Sequence, residues 1–352
     1  MASGLLSTGA SCHLAVSVVI ADADGMFVCL STAELTAAGW SSHQIDNALA
    51  CCLRRVRSGR YLVKRQCQTP IHEHIALIAG SDRTHLPVET AGMRKRDEDL
   101  RILVRSYVGD LPPGATLSHR SALIVHGLPI PYFDRDESIV AEVVHPTHGV
   151  RRNTLLMRRR DYGSAEVCEI DGARATTLLR TLADIARDYP LAFAVAVIDA
   201  AIHTSLVTLP LVREYCEAHP VRTRQRRVDR LLGLADGRRE SIAESICAVR
   251  FVEFSIPGFE PQVTIRDENG NFVARTDFAN RRAKTVAEFD GAGKYHLPGR
   301  DPRRELELER QREYKLRNLG YSVFRLRWQD LFSADVFLRI RARVASTAGT
   351  TG

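Results

Sequence analysis

Apolar residues recur at two different periods along this chain, and each change of period marks an element. Leu30-Ser-Thr-Ala-Glu34-Leu35 places Ser31 three residues before Glu34, a capping-box pattern that predicts a first helix ending near Ala38-Gly39. After Trp40, Ser41 or Ser42 can cap a second helix from His43 to about Leu53, with Ile45, Ala48 and Leu49 on one buried face. Gly59 then suits a tight turn between strands that carry Val56, Tyr61 and Val63. Val140 to His145 reads as a strand. Thr176 or Thr177 can cap a helix containing Arg180 and Asp184, and helices follow from Pro190 to Ala201 and from Thr208. In the last third, Glu240 to Arg250 has helical spacing. Strand-like runs follow at 262–265, Asn271–Phe278 and Lys284–Asp290. A charged helix from Glu305 to Asn318 stops at Leu319-Gly320, and Tyr321 to Trp328 alternates again. The order there is helix, three strands, helix, strand.

That last pattern concentrates carboxylates. Asp277 ends one strand, and Glu288 and Asp290 end the next. Glu288 and Asp290 are two apart, so a strand points them to one face. Clustered carboxylates repel, and either a hard divalent cation or nearby Lys and Arg must offset them.

The amino-terminal pattern concentrates the opposite charge. Six Lys or Arg residues fall in positions 54–65, on the predicted hairpin. Helix, turn, helix and basic hairpin together are the grammar of a winged helix. Ser42, His43, Gln44 and Asn47 are the candidate base contacts, and Arg54, Arg55, Arg57 and Arg60 the candidate backbone contacts. A helical protein-interaction module with a solvated basic face fits the same pattern. Residues 222–230 hold five arginines, which suits either a phosphate track or a solvated linker helix.

Bulk properties set the frame. A chain of 352 residues holds two or three domains. The net charge of +7 favours a nucleic-acid partner. No apolar run is long enough to span a membrane, so a cytoplasmic protein is expected. Cys12, Cys29, Cys51, Cys52, Cys67, Cys168, Cys216 and Cys247 form no C-x-x-C pair, so reduced thiols without a zinc site are expected. Cys51-Cys52 is expected to serve packing. No Walker loop, G-x-G-x-x-G fingerprint or internal repeat is present. The weakly organised first residues make Met26 an alternative start.

Two resemblances sharpen this. Residues 27–68 resemble the amino-terminal domain of AbiEi-like antitoxins of type IV toxin–antitoxin systems, through Thr32-x-x-Leu35-x-x-x-Gly39 and Gly59-x-Tyr61. Residues 72–220 resemble the same proteins through Ser118-His119-Arg120-Ser121-Ala122 to His126-Gly127-Leu128-Pro129, and through Thr176 to Asp184. His119 and His126 read there as structural residues of a capped helix. Residues 240–340 resemble a Vsr-like member of the PD-(D/E)XK endonuclease superfamily, of actinobacterial type. The matching pieces are Glu244, Thr276-Asp277-Phe278, Glu288-Phe-Asp290-Gly291, Lys294-Tyr295, Arg325 and Trp328. That similarity implies Asp277 and Glu288 as Mg²⁺ ligands and Glu244 as a further acid. Asp290 stands where the superfamily has a lysine, and Lys294 or His296 could replace it.

The expected fold class is α+β and multidomain: a winged helix-turn-helix, a helix-rich α+β middle domain and a restriction-endonuclease-like α/β carboxyl domain. The expected boundaries are 1–26 (poorly organised), 27–68, 72–220, 221–239 (basic linker helix), 240–345 and 346–352 (tail). The leading function is a DNA-binding regulator of antitoxin type. The alternatives are an active Mg²⁺-dependent DNA endonuclease and an antitoxin acting by protein contact. Double-stranded DNA is the expected partner, with no membrane. A cognate nucleotidyltransferase-like toxin and a homodimer are left open.

Overall fold

The computed structural model describes residues 29–64, 69, 72, 93–130, 138–289 and 302–348. Among these the fold is mixed α+β, with eleven α-helices and three sheets. No helix among them is long and apolar enough to cross a membrane. The expected poorly organised stretch 1–26 lies outside the described residues. The chain divides into two compact units: 1–112 with 125–127 and 169–174, and the remainder from 113 to 352.

The first unit contains β1 (Cys29–Ser31), α1 (Thr32–Ala37), α2 (Ser42–Ala48), β2 (Leu53–Arg57), β3 (Arg60–Val63) and α3 (Met93–Tyr107). Its three strands are antiparallel in the order β1-β3-β2. Both short helices start on full capping boxes. Ser31 Oγ accepts from Glu34 N at 3.0 Å while Ser31 N donates to Glu34 Oε2 at 2.7 Å, and Ser41 and Gln44 repeat the exchange. Gly39 takes a φ of +87° after α1, and Gly59 one of +71° in the hairpin turn. The second helix stops at Ala48, short of the expected Leu53. Leu49 to Cys52 instead form turns whose amides donate back to Asp46, Asn47 and Ala48 carbonyls, which frees Leu53 to begin β2. Leu35, Trp40, Ile45, Ala48, Cys52, Leu53, Tyr61 and Val63 close the core between these elements.

Next in chain order come β4 (Thr116–Leu117), α4 (His119–Val125), β5 (Ala141–His145), β6 (Val150–Arg151), β7 (Leu155–Arg159), β8 (Val167–Ile170) and β9 (Ala173–Thr176). These strands form one sheet in the order β6-β7-β5-β4-β9-β8. Four helices follow: α5 (Leu178–Asp188), α6 (Leu191–His203), α7 (Leu209–Ala218) and α8 (Gln225–Leu234). Then come α9 (Ile242–Glu253), β10 (Glu260–Arg266), β11 (Phe272–Asn280), β12 (Thr285–Phe289), α10 (Pro302–Asn318), β13 (Ser322–Leu326) and α11 (Asp335–Ala348). The last sheet has the order β10-β11-β12-β13, antiparallel except for the parallel β12–β13 pair. A parallel pair needs a crossover, and α10 lies within it.

Packing crosses the expected boundary at 220–240. Helix α8 sinks Val228, Leu231 and Leu232 into the core formed by α5, α6 and α7, so it is a packed element and not a solvated linker. Phe193 on α6 joins Ala243, Ile246, Cys247 and Phe251 on α9 in the core that also holds Phe278, Ala287 and Phe337. Helix α11 runs to Ala348, into the stretch expected to be a tail.

Candidate functional site

The three candidate carboxylates that are described, Glu244, Asp277 and Glu288, sit around the last sheet and its flanking helix, each with its own donors. Glu244 lies in the first turn of α9, and Ser241 is that helix's N-cap. Its Oε1 accepts from Ser241 Oγ at 2.8 Å. Its Oε2 accepts from Glu240 N at 3.0 Å and from Gln262 Nε2 at 2.7 Å. Ser241 Oγ in turn accepts from Glu244 N at 3.2 Å, a side-chain N-cap that the Ser241-x-x-Glu244 spacing signals in the sequence. Asp277 on β11 accepts from Phe289 N on β12 at 2.7 Å. The ladder pairs Phe278 with Ala287, so Asp277 and Glu288 fall on the next register step. Burial, together with the charges of Asp277 and Glu244, pushes the Cys247 thiol well up and keeps it protonated.

Glu288 is the last buried residue of β12, which is buried along Thr285-Val-Ala-Glu288 and ends at Phe289. The Arg312 guanidinium of α10 contacts its Oε1, and Arg325, its register partner on β13, stands 3.7 Å from Oε2. Arg325 also reaches Glu309 and Glu313. Burial opposes the charge on Arg325, but Glu309, Glu288 and Glu313 hold its pKa above the ordinary value. Arg312 and Arg325 thus both offset the charge of Glu288. Mg²⁺ demands several oxygens at near-octahedral geometry. Among the described residues, Glu244, Asp277 and Glu288 do not bring ligand atoms together in that way. The donors as placed therefore do not form a cage for such a cation. Asp290, Lys294 and His296 lie outside the described residues.

Gln262 was not legible as a site residue. It takes a left-handed φ of +55° in the middle of β10, where strand residues are normally extended, and its amide holds Glu244.

In the first unit, the candidate base contacts separate into two groups. Ser42, His43 and Asn47 are exposed on α2, with Asn47 Nδ2 3.2 Å from His43 Nε2. Gln44 is occupied, because its Oε1 accepts from Ser41 N at 2.8 Å and from Ser41 Oγ at 2.9 Å. The candidate backbone contacts also separate. Arg55 is exposed, 3.7 Å from Asp46. Arg54 turns instead to Asp99 at 2.6 Å. Arg57 donates to the Ser106 carbonyl and to Asp110, both at 2.5 Å, and lies 4.2 Å over the Tyr107 ring. Arg60 meets Asp110 as well. Three of the four hairpin arginines are thus engaged by α3 and the turn after it. Hydrogen bonds from Arg60 hold Asp110 at about 2, with burial opposing and Arg57 assisting.

The middle-region box folds into an ionic core. His119 is buried, with Nδ1 3.0 Å from Ser118 Oγ and Nε2 3.0 Å from Asp188 Oδ2. This is a serine–histidine–carboxylate line, but Ser118 and His119 have no exposed surface to meet a substrate. Glu142 is fully buried beside it. It accepts from Arg120 N and Nε, each at 3.1 Å, and from Tyr189 OH at 2.5 Å, and Arg158 Nη1 stands 2.7 Å away. Burial raises the pKa of Glu142, but Arg120 and Arg158 outweigh it and hold the carboxyl at about 2. The structural reading of Ser118 and His119 fits this burial. On α8 and the loop before it, Arg222, Arg224, Arg226 and Arg230 are exposed.

The chain matches no protein-family model. It is similar to an uncharacterized protein of Mycobacterium tuberculosis, found in two strains. The identity is 27% over 195 residues, which covers 54% of this chain and 68% of the relative.

Proposed function

We propose that this protein is a DNA-binding regulator of antitoxin type, in which a winged helix-turn-helix over residues 27–68 meets duplex DNA. The observation that carries this reading is the exposed row of Ser42, His43 and Asn47 on α2, with Arg55 exposed on the neighbouring strand. Short polar side chains on a capped helix suit base edges, and a nearby arginine suits phosphate. The net charge of +7 supports a polyanionic partner. In this reading the exposed arginines of 222–230 add sequence-independent affinity, and the PD-(D/E)XK-like region serves as scaffold or partner surface, with arginine in place of a cation at Glu288. A nucleotidyltransferase-like toxin would be the cognate partner. The test is fluorescence anisotropy on random and promoter-derived duplexes across a salt series. The Ser42→Ala/His43→Ala/Asn47→Ala variant is expected to lose sequence preference while keeping its fold. Unchanged affinity and preference in that variant would sink the reading.

A second reading, a DNA endonuclease of the PD-(D/E)XK type, draws on Gln262. A left-handed strand residue whose amide holds one acid of the set and whose register position faces another is the kind of strain found at functional sites. Plasmid nicking with Mg²⁺ or Mn²⁺, beside the Asp277→Ala/Glu288→Ala variant, decides it. Cleavage present in the parent and lost in the variant would replace the first reading.

A further inference from the structure

The turn after α2 gathers three soft donor atoms. Cys51 N and Cys52 N both donate to the Ala48 carbonyl, at 3.1 and 3.0 Å, which sets the two thiols side by side. Their Sγ atoms are 3.7 Å apart. His72 brings its Nδ1 to 3.3 Å from Cys51 Sγ and 3.9 Å from Cys52 Sγ. Trp40 stacks on that imidazole with centroids 5.4 Å apart, and the His72 backbone N donates to the Thr69 carbonyl at 2.8 Å. Cys52 and His72 are buried.

The three edges of this triangle carry the argument. Zinc bonds of about 2.3 Å to sulfur and about 2.0–2.1 Å to nitrogen, set tetrahedrally, give edges of about 3.8 Å between sulfurs and about 3.5 Å between sulfur and nitrogen. The observed edges of 3.7, 3.3 and 3.9 Å lie within about 0.4 Å of those lengths. In the metal-free chain weak thiol hydrogen bonds span the same three edges, and the metal would replace them. A disulfide needs the sulfurs at about 2.05 Å, so the pair stands as thiols. Among the described residues this is the one group of three His, Cys, Asp or Glu side chains whose ligand atoms all lie within 4.8 Å of one another.

We infer that Cys51, Cys52 and His72 form a binding site for a thiophilic divalent ion, with Zn²⁺ as the natural occupant. Each thiol gives its proton to solvent as its sulfur bonds the metal, and His72 bonds through neutral Nδ1. Two thiolates cancel the charge of the ion, which suits a half-buried site. A water or one further donor completes the tetrahedron. The metal ties the chain at His72 to the turn that ends α2, a cross-link of the sort small modules with a limited core use. The inference is independent of the DNA-binding reading and stands if that reading fails.

The test uses the full chain, stripped of metal under reducing conditions and titrated with Co²⁺ and then Zn²⁺. The expected result is one equivalent of Co²⁺ bound, with intense visible bands of a tetrahedral ion and a near-ultraviolet thiolate-to-cobalt band, all bleached by Zn²⁺. Cys51→Ser/Cys52→Ser and His72→Gln should each lose the bands, and Cys216→Ser should keep them. Zn²⁺ should also slow alkylation of Cys51 and Cys52, mapped by peptide mass spectrometry, in the unmutated chain. That measurement holds even if a variant misfolds. A parent chain with no cobalt bands and no Zn²⁺ protection would overturn the site. So would bands that survive in the folded double-serine variant, or a Cys51–Cys52 disulfide as the stable form with no metal uptake after reduction.

Discussion

Arg60 holds Asp110 at two points, with Nε 2.7 Å from Oδ2 and Nη2 2.5 Å from Oδ1. Arg57 shares that carboxylate, so one acid fixes both sides of the hairpin turn. Because the Asp110 pKa is lowered in the fold to about 2, its stabilising share is complete above the unfolded value near 4. It is lost as pH falls from there through about 2. Asp110→Asn should flatten this acid limb and cost about 1 kcal/mol or less at neutral pH, since the pair is partly exposed. Urea denaturation at a series of pH values, followed by a probe in the first unit, checks both points. An identical acid limb in the variant would remove Asp110 from the account.

The hairpin arginines should differ in kind. Arg55→Ala is expected to weaken duplex binding for all sequences and to lower the salt slope by about 1, as loss of one phosphate contact does. Arg57→Ala is expected to leave the slope alone and lower the melting temperature, because its guanidinium is committed to Ser106 and Asp110. Anisotropy across a salt series, with thermal melts of the same samples, separates them. A reduced slope for Arg57→Ala would mean that the side chain swings out to DNA.

Glu142 should be among the most sensitive positions for stability. It is fully buried between Arg120 and Arg158 and takes the Tyr189 hydroxyl. Glu142→Gln is expected to cost about 3–5 kcal/mol, because it strands the buried Arg120 and the partly buried Arg158. Tyr189→Phe should cost about 1 kcal/mol for one hydrogen bond. The folded pKa of about 2 lies below the unfolded one, so the contribution of Glu142 is present above about 4.3 and disappears as pH falls through about 2. Denaturant midpoints of the two variants give the ranking, and equal losses would break it.

Glu288→Gln tests whether arginine or a cation is the natural partner there. With Arg312 and Arg325 as partners, the variant should lose about 1–3 kcal/mol, and added Mg²⁺ should leave the melting temperature of the parent unchanged. A Mg²⁺-dependent rise in the parent that Glu288→Gln abolishes would place the cation at Glu288.

Local signals in the sequence carried much of the fold. Ser31 with Glu34 marks α1, Gly59 marks the hairpin, and Gly320 closes α10 with a φ of +81°. The succession of helix and strands along the last third follows from its change of period. What was not legible depends on distance along the chain. Asp99 and Asp110 meet arginines 45 to 53 residues away, and no periodicity announces such a pairing. Adjacent cysteines with a histidine 20 residues on fit no ligand-spacing pattern, so nothing in the sequence pointed to the cluster that the fold brings together. Glu244 is the opposite case. Its place three after Ser241 announces a helix cap as plainly as it suggests a catalytic acid.

The packing of Phe193 against α9 bears on how this chain can be divided or inherited. A gene fragment starting near residue 240 looks like a portable cassette, yet its product would leave Phe193 behind and bare the faces of Ala243, Cys247 and Phe251 to water. Loss of one buried aromatic contact of that size is worth about 1.5–3 kcal/mol, a large part of what holds a domain of this length together. Shuffling the last third onto a foreign partner should therefore yield aggregating chimeras unless the helices from Leu178 onward travel with it.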